Sequence, residues 1–179
     1  AILYIFFLVL LSAVAYKKML DVNRSFKNEL DIKKFLDFYE NAVKGRSGKN
    51  SMLLAKTNLM TGYLACGELG KAFDVYNKKP YSPTMSKKAE TLIAYLLVAT
   101  ECLLTGGYIN NIENYFTELN ALLGKVNPKN LNNFKISVDL LRFQYLCQIG
   151  NYDGIEELYT DLSGRVDSVY RKIKLNYWC

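Results

Sequence analysis

Chemistry in this chain would have to start from carboxylates, thiols and hydroxyls, because its 179 residues include no histidine. Imidazole metal ligation and histidine acid–base catalysis are therefore closed to it. Glu156, Glu157 and Asp161 gather three carboxylates on one predicted helix, where such spacing reads as a solvated face rather than an acid–base pair. Ser12 and Ser163 have no base partner in the sequence, and Gly67-Glu68-Leu69-Gly70 lacks the phosphate-loop pattern. Cys66, Cys102 and Cys147 sit in apolar segments where a free thiol acts as a small hydrophobe, Cys179 is the last residue, and no pair has C-x-x-C spacing. The expectation is a protein that is not an enzyme, with no catalytic, cofactor-binding or metal-binding residues and a reducing compartment around its domain.

The elements that would carry any site are helical. Half the residues are apolar, only three prolines occur, and long stretches between them are apolar at helical spacing. The reading is all-α.

The first sixteen residues, AILYIFFLVLLSAVAY, carry no charge and are followed at once by Lys17 and Lys18. No polar face interrupts this run, which argues for a membrane helix rather than a core helix. Sixteen residues fall short of the ~20 that a hydrocarbon core needs, and the chain opens on Ala, so an upstream extension is expected. Residues 1–18 are read as a transmembrane or signal-anchor helix. The rival reading is a secretory signal cut after Ala13-Val14-Ala15, leaving an extracytoplasmic binding protein that starts at Tyr16.

Lys17, Lys18, Arg24, Lys27, Lys33 and Lys34 flank the apolar run, and such an excess marks the cytoplasmic side of a single-pass span. Residues 1–88 hold fifteen basic and seven acidic residues, whereas 89–179 hold eight and ten. The net charge of +6 thus comes from the membrane-proximal half, where it suits an anionic leaflet. Scattered basic residues and an acidic distal half argue against a specific nucleic-acid partner. Residues 19–50 read as a basic juxtamembrane segment with a capping helix over 31–45, begun by Asp31 and ended by Gly45.

Three stretches repeat one shape: CGELGKAFDVY, GGYINNIENYF and IGNYDGIEELY. Each has an apolar helix before a glycine and an amphipathic helix after it. Gly67 is followed by Leu69, Ala72 and Tyr76; Gly107 by Ile109, Ile112 and Phe116; Gly150 by Tyr152, Ile155 and Tyr159. The offsets of two, five and nine place these residues on one face of a second helix, and the glycine ends the first helix in a left-handed conformation. Ser82-Pro83 reads as the start of the next hairpin and Ser163-Gly164 as the end of the third. Such hairpins leave apolar faces that only neighbouring hairpins cover.

On these residues the chain resembles the tetratricopeptide repeat family over 51–179, with glycine spacings of 40 and 43 residues where that family repeats every 34. Ile112 and Ile155 stand where the family has a small residue. An irregular helical bundle is the alternative. The resemblance implies a short solenoid of antiparallel hairpins and a role in protein–protein interaction; taken with the apolar first residues and their basic flank, the expectation is a membrane-anchored scaffold or adaptor facing the cytoplasm. It also implies a groove for a protein or peptide partner lined by Thr57, Thr61 and Leu64, by Leu97, Glu101 and Leu104, and by Leu140, Gln144 and Cys147. The last segment, from Val166, reads as a first helix without its partner, so a longer native chain is expected, with a further, enzymatic domain beyond Cys179 as one form of it; the alternative is a natural C-terminal helix whose aromatics pack back on the third hairpin.

Overall fold

The computed structural model describes residues 2–45 and 48–178, with side chains from Val9 onward; Cys179 and the side chains of residues 1–8 lie outside it. The described residues form helices and no strands. In chain order they are α1 (Ile2–Glu29), α2 (Ile32–Gly45), α3 (Lys49–Ala65), α4 (Leu69–Asn77), α5 (Ala89–Thr105), α6 (Ile112–Leu123), α7 (Pro128–Gln148), α8 (Ile155–Arg165) and α9 (Val169–Tyr177). Each helix packs on the next from α1 to α9, and α3, α5, α7 and α9 also form a row of direct neighbours.

The repeated glycines close that row. Gly67, Gly107 and Gly150 have φ of 75°, 76° and 68°. In each, the glycine N–H donates to the carbonyl three residues back and the next N–H to the carbonyl five residues before it: Glu68 to Tyr63 at 2.8 Å, Tyr108 to Leu103 at 2.9 Å, Asn151 to Leu146 at 3.0 Å. This pair of bonds satisfies the last carbonyls of α3, α5 and α7 and reverses the chain. No side-chain atom approaches the missing Cβ of these three glycines, so backbone conformation alone selects them.

Beyond the glycine the units differ. α4 begins two residues after Gly67, and Ala72 lies buried between helices. In the later units Asn111 and Gly154, both left-handed with φ of 68° and 69°, delay the second helix to Ile112 and Ile155. Ile109 and Tyr152 therefore fall in the turn, 41% and 68% exposed, and not on the helix face their spacing implies. Ile112 and Phe116 are buried, whereas Ile155 and Tyr159 are partly buried.

Two expected boundaries move. Ser82-Pro83 does not start α5, which begins at Ala89. The intervening segment is pinned instead: the buried Tyr95 hydroxyl donates to the Lys79 carbonyl, Tyr81 to Glu118 at 2.7 Å, and Ser86 to Asn50 at 2.9 Å, with Met85 buried. Gly164 lies inside α8, which continues to Arg165, whose guanidinium reaches Asp139 of α7 and Asp161 at 2.6 Å each. Asp31 does cap α2, accepting from the Lys34 N–H at 3.0 Å. Asn127 caps α7 by accepting from the Lys129 N–H at 3.0 Å, with Pro128 at the first helical position.

The core comes in three parts. Val22, Phe26, Phe35, Tyr39 and Leu59 join α1, α2 and α3. Leu53, Met60, Tyr95, Leu96, Phe116 and Leu141 join α3 through α7. Ile136, Leu140, Phe143, Leu162 and Leu175 join α7, α8 and α9. Helices α3 and α7 are shared between neighbouring parts, which is how stacked hairpins extend a core in one direction.

α1 runs unbroken across the boundary expected at residue 18, and its halves differ. Val22 and Phe26 are buried, whereas Val9 and Val14 are each 60% exposed, with Leu10, Leu11, Tyr16 and Leu20 also bare. Among the described residues no helix is long and apolar enough to cross a membrane, so the spanning helix expected over 1–18 has no support in the fold itself.

A close helix approach occurs at Gly62, a residue the repeat pattern does not mark. A Cβ there would lie 2.6 Å from Leu36 Cδ2 and 3.1 Å from Phe35 Cδ1. Gly62→Ala is expected to lower stability by about 1–3 kcal/mol through overpacking. Gly70→Ala, on α4 with nothing near the new methyl, should raise it by up to about 1 kcal/mol through helix propensity. Urea denaturation of both variants checks the pair.

Candidate functional site

The row of first helices brings α9 back against the second half of α1. α9 packs on α1, whose backbone does not come close to that of α3. Phe26 makes the junction: its ring lies 4.1 Å from Phe35, stacked, and 4.8 Å from Tyr170. Between the meeting ends and the row lies a cavity of about 530 Å³ with walls from α1, α2, α3, α5, α7 and α9.

Of the nine groove positions, Thr57, Thr61, Leu97, Glu101 and Leu140 line this cavity. Leu64, Leu104, Gln144 and Cys147 do not. Leu104 and Gln144 are buried, Leu64 is partly buried, and Cys147 borders a second cavity on the far end of α7. The reason is that α5 and α7 are tied together at their C-terminal ends, where Gln148 Nε2 donates to the Leu104 carbonyl at 3.0 Å, leaving no groove there.

The hydroxyls of Thr57 and Thr61 are already used. They donate to the carbonyls of Leu53 and Thr57, at 2.9 and 3.0 Å, along their own helix. Besides the Lys27 ammonium and the Tyr170 hydroxyl, the open hydrogen-bonding groups on the walls belong to asparagines. The carboxamides of Asn58, Asn130 and Asn133 border the cavity and make no hydrogen bond to the described residues. Asn23, by contrast, accepts from the Tyr39 hydroxyl at 2.9 Å.

Lys27, Glu90, Glu101, Arg171 and Lys174 put charge on the cavity walls, and one pair of them forms an ion bridge between helices. Lys174 Nζ of α9 lies 2.7 Å from Glu101 Oε1 of α5, with the side chains only 20% and 14% exposed. The same ammonium stands 5.7 Å over the Tyr170 ring. Burial, reinforced by the Glu101 carboxylate, pushes the Tyr170 phenol well above its ordinary range, so it stays neutral and can donate. Arg171 anchors the neighbouring turn of α9. Its guanidinium pairs with Asp167 at 3.1 Å and donates to Ser137 Oγ at 3.1 Å and the Asn133 carbonyl at 3.2 Å.

The walls supplied by Asn23, Phe26 and Lys27 and by Tyr170, Arg171 and Lys174 have no counterpart among the groove positions read from the sequence. Their one signal is spacing, since Asn23 with Lys27 and Tyr170 with Lys174 are four residues apart on single helix faces. The thiol of Cys102 is buried, and burial raises it to about 12, which makes it an inert core group. Among the described residues no cluster of three or more Cys, Asp and Glu could hold a metal ion. No family model, curated protein or solved structure matches the chain.

The Lys174–Glu101 bridge should be energetically coupled, because removing one partner leaves the other charge in a mostly dry setting. A double-mutant cycle with Glu101→Gln and Lys174→Met is expected to give a coupling of about 1–3 kcal/mol. The exposed Lys33–Asp37 pair of α2 should give no measurable coupling. Chemical denaturation of the four proteins in each cycle measures both.

Proposed function

We propose that this chain is a non-catalytic scaffold of tetratricopeptide-like hairpins that holds an extended segment of a protein partner in the cavity between α3, α5, α7 and α9. The observation that carries this reading is the free carboxamides of Asn58, Asn130 and Asn133 beside apolar walls from Leu97, Phe134 and Leu140. An amide side chain both donates and accepts, which matches the alternating N–H and C=O groups of an extended backbone. The apolar walls would take its alternate side chains.

The same proposal attaches the scaffold to a membrane through the apolar first half of α1, with the hairpins on the cytoplasmic side beside Lys17 and Lys18. Val9, Leu10, Leu11, Val14 and Tyr16 are exposed on this part of the helix, and a contiguous uncovered apolar surface marks an interaction site. As a helix the sixteen uncharged residues are about 24 Å long, close to but below a ~30 Å hydrocarbon core. The bond between Ala15 and Tyr16 lies inside the continuous α1, which favours a retained anchor over a cleaved signal. Because no loop separates the apolar half from Val22 and Phe26, the hairpins would ride on the anchor as a rigid extension.

Two measurements bear on this. A photo-crosslinking residue at Asn58 should capture a partner in cells, while the same residue at Lys71, on the outer helix α4, should not; equal capture at both positions would sink the groove assignment. The full chain should float with phosphatidylserine-containing vesicles and a chain starting at Lys17 should float weakly and only at low salt. Full-length protein that stays in the soluble fraction would remove the anchor.

A further inference from the structure

A second cavity, of about 570 Å³, opens where the end of α7, the start of α8 and the end of α9 come together. It lies outside the proposed partner groove, and its composition is unlike the first. Four of its lining side chains are aromatic: Phe143, Tyr152, Tyr159 and Trp178. Phe143 is buried in the core, and its ring centroid lies 6.0 Å from that of Tyr159. The Tyr159 hydroxyl donates to Asn176 Oδ1 at 3.1 Å, which holds the ring against α9. Trp178 packs edge-on against Tyr177 at 5.0 Å. Tyr152, left in the turn by Gly154, brings a largely uncovered ring to the rim.

One charge faces this aromatic wall. Glu156, in the first turn of α8, lines the cavity and makes no ion pair or hydrogen bond with the described residues. No lysine or arginine lines the cavity with it. An anion would meet the carboxylate without compensation, and a purely apolar ligand would strip water from it for no return. Aromatic faces carry negative potential and attract cations brought within about 6 Å. A primary ammonium needs three acceptors for its three N–H groups, which ring faces supply poorly, so it would have to leave the rings for the Glu156 carboxylate and the Thr160 and Tyr152 hydroxyls. An alkylated ammonium needs none, and its methyl groups pack on the rings.

We infer that this cleft binds a small quaternary ammonium cation of the choline type, with Tyr152, Tyr159 and Trp178 around the charged head and Glu156 as its counter-charge. The site is independent of the partner groove, so either assignment can fail alone.

Trp178 is the single tryptophan of the chain, so its emission reports the cleft directly. Titrating the full chain with choline should give a saturable change in that emission. The uncharged isostere 3,3-dimethylbutan-1-ol should give none at equal concentration. Glu156→Gln should weaken choline binding by about ten-fold and Tyr159→Leu should abolish it, with the helical circular dichroism of both retained. Glu157→Gln, whose side chain does not line the cleft, should leave the titration unchanged. The inference is overturned if choline gives no saturable change, if the uncharged alcohol binds as well, or if Glu157→Gln weakens binding as much as Glu156→Gln.

Discussion

Helices α3, α5 and α7 each end on a glycine held at positive φ, and the two hydrogen bonds closed around that glycine turn the chain back on itself. A side chain at that φ costs about 1–2 kcal/mol, so glycine is the residue that makes this turn most cheaply, although Leu30 and Asn111 also hold positive φ. Because the same closure occurs three times, three hairpins emerge with their first helices side by side. Helices α3 and α7 of that row each contribute to two of the three parts of the core. The cavity exists because first helices placed in a row and curved leave a concave side.

The contacts that close the concave side are local and mostly polar. Phe26 and Tyr170 make the apolar contact between the chain ends, while Lys174 crosses to Glu101 and Arg171 to Ser137. Charge-assisted bonds in a half-dry setting are strong in geometry but costly to leave half-made. The cavity is therefore bounded on one side by α9. The aromatic cleft is framed by the other end of that helix, so α9 contributes to both cavities from opposite ends.

The parts of the site that were legible in the sequence are those governed by local rules. Thr57, Thr61, Leu97, Glu101 and Leu140 share inward faces because a residue four on in a helix lies above its predecessor, whatever surrounds it. Leu104, Gln144 and Cys147 obey the same spacing yet miss the cavity, because Gln148 ties α7 to α5 at that level and packing replaces the groove. Ile109 and Tyr152 were displaced by left-handed residues at 111 and 154, of which Asn111 gives little warning in a sequence. The late start of α5 reflects Tyr95, Tyr81 and Ser86 holding a loop whose Ser-Pro signal would otherwise begin a helix.

By itself, then, the sequence determined the all-α class, the three hairpin turns and the exclusion of histidine chemistry, since composition, helical periodicity and glycine at a left-handed position act within a few residues. The tertiary structure alone decided that α9 returns to α1, that Lys174 meets Glu101, that Gly62 is where α2 and α3 crowd, and that four aromatics converge beside Glu156. Those outcomes depend on packing between residues on different helices, most of them far apart in the chain, which no local pattern encodes.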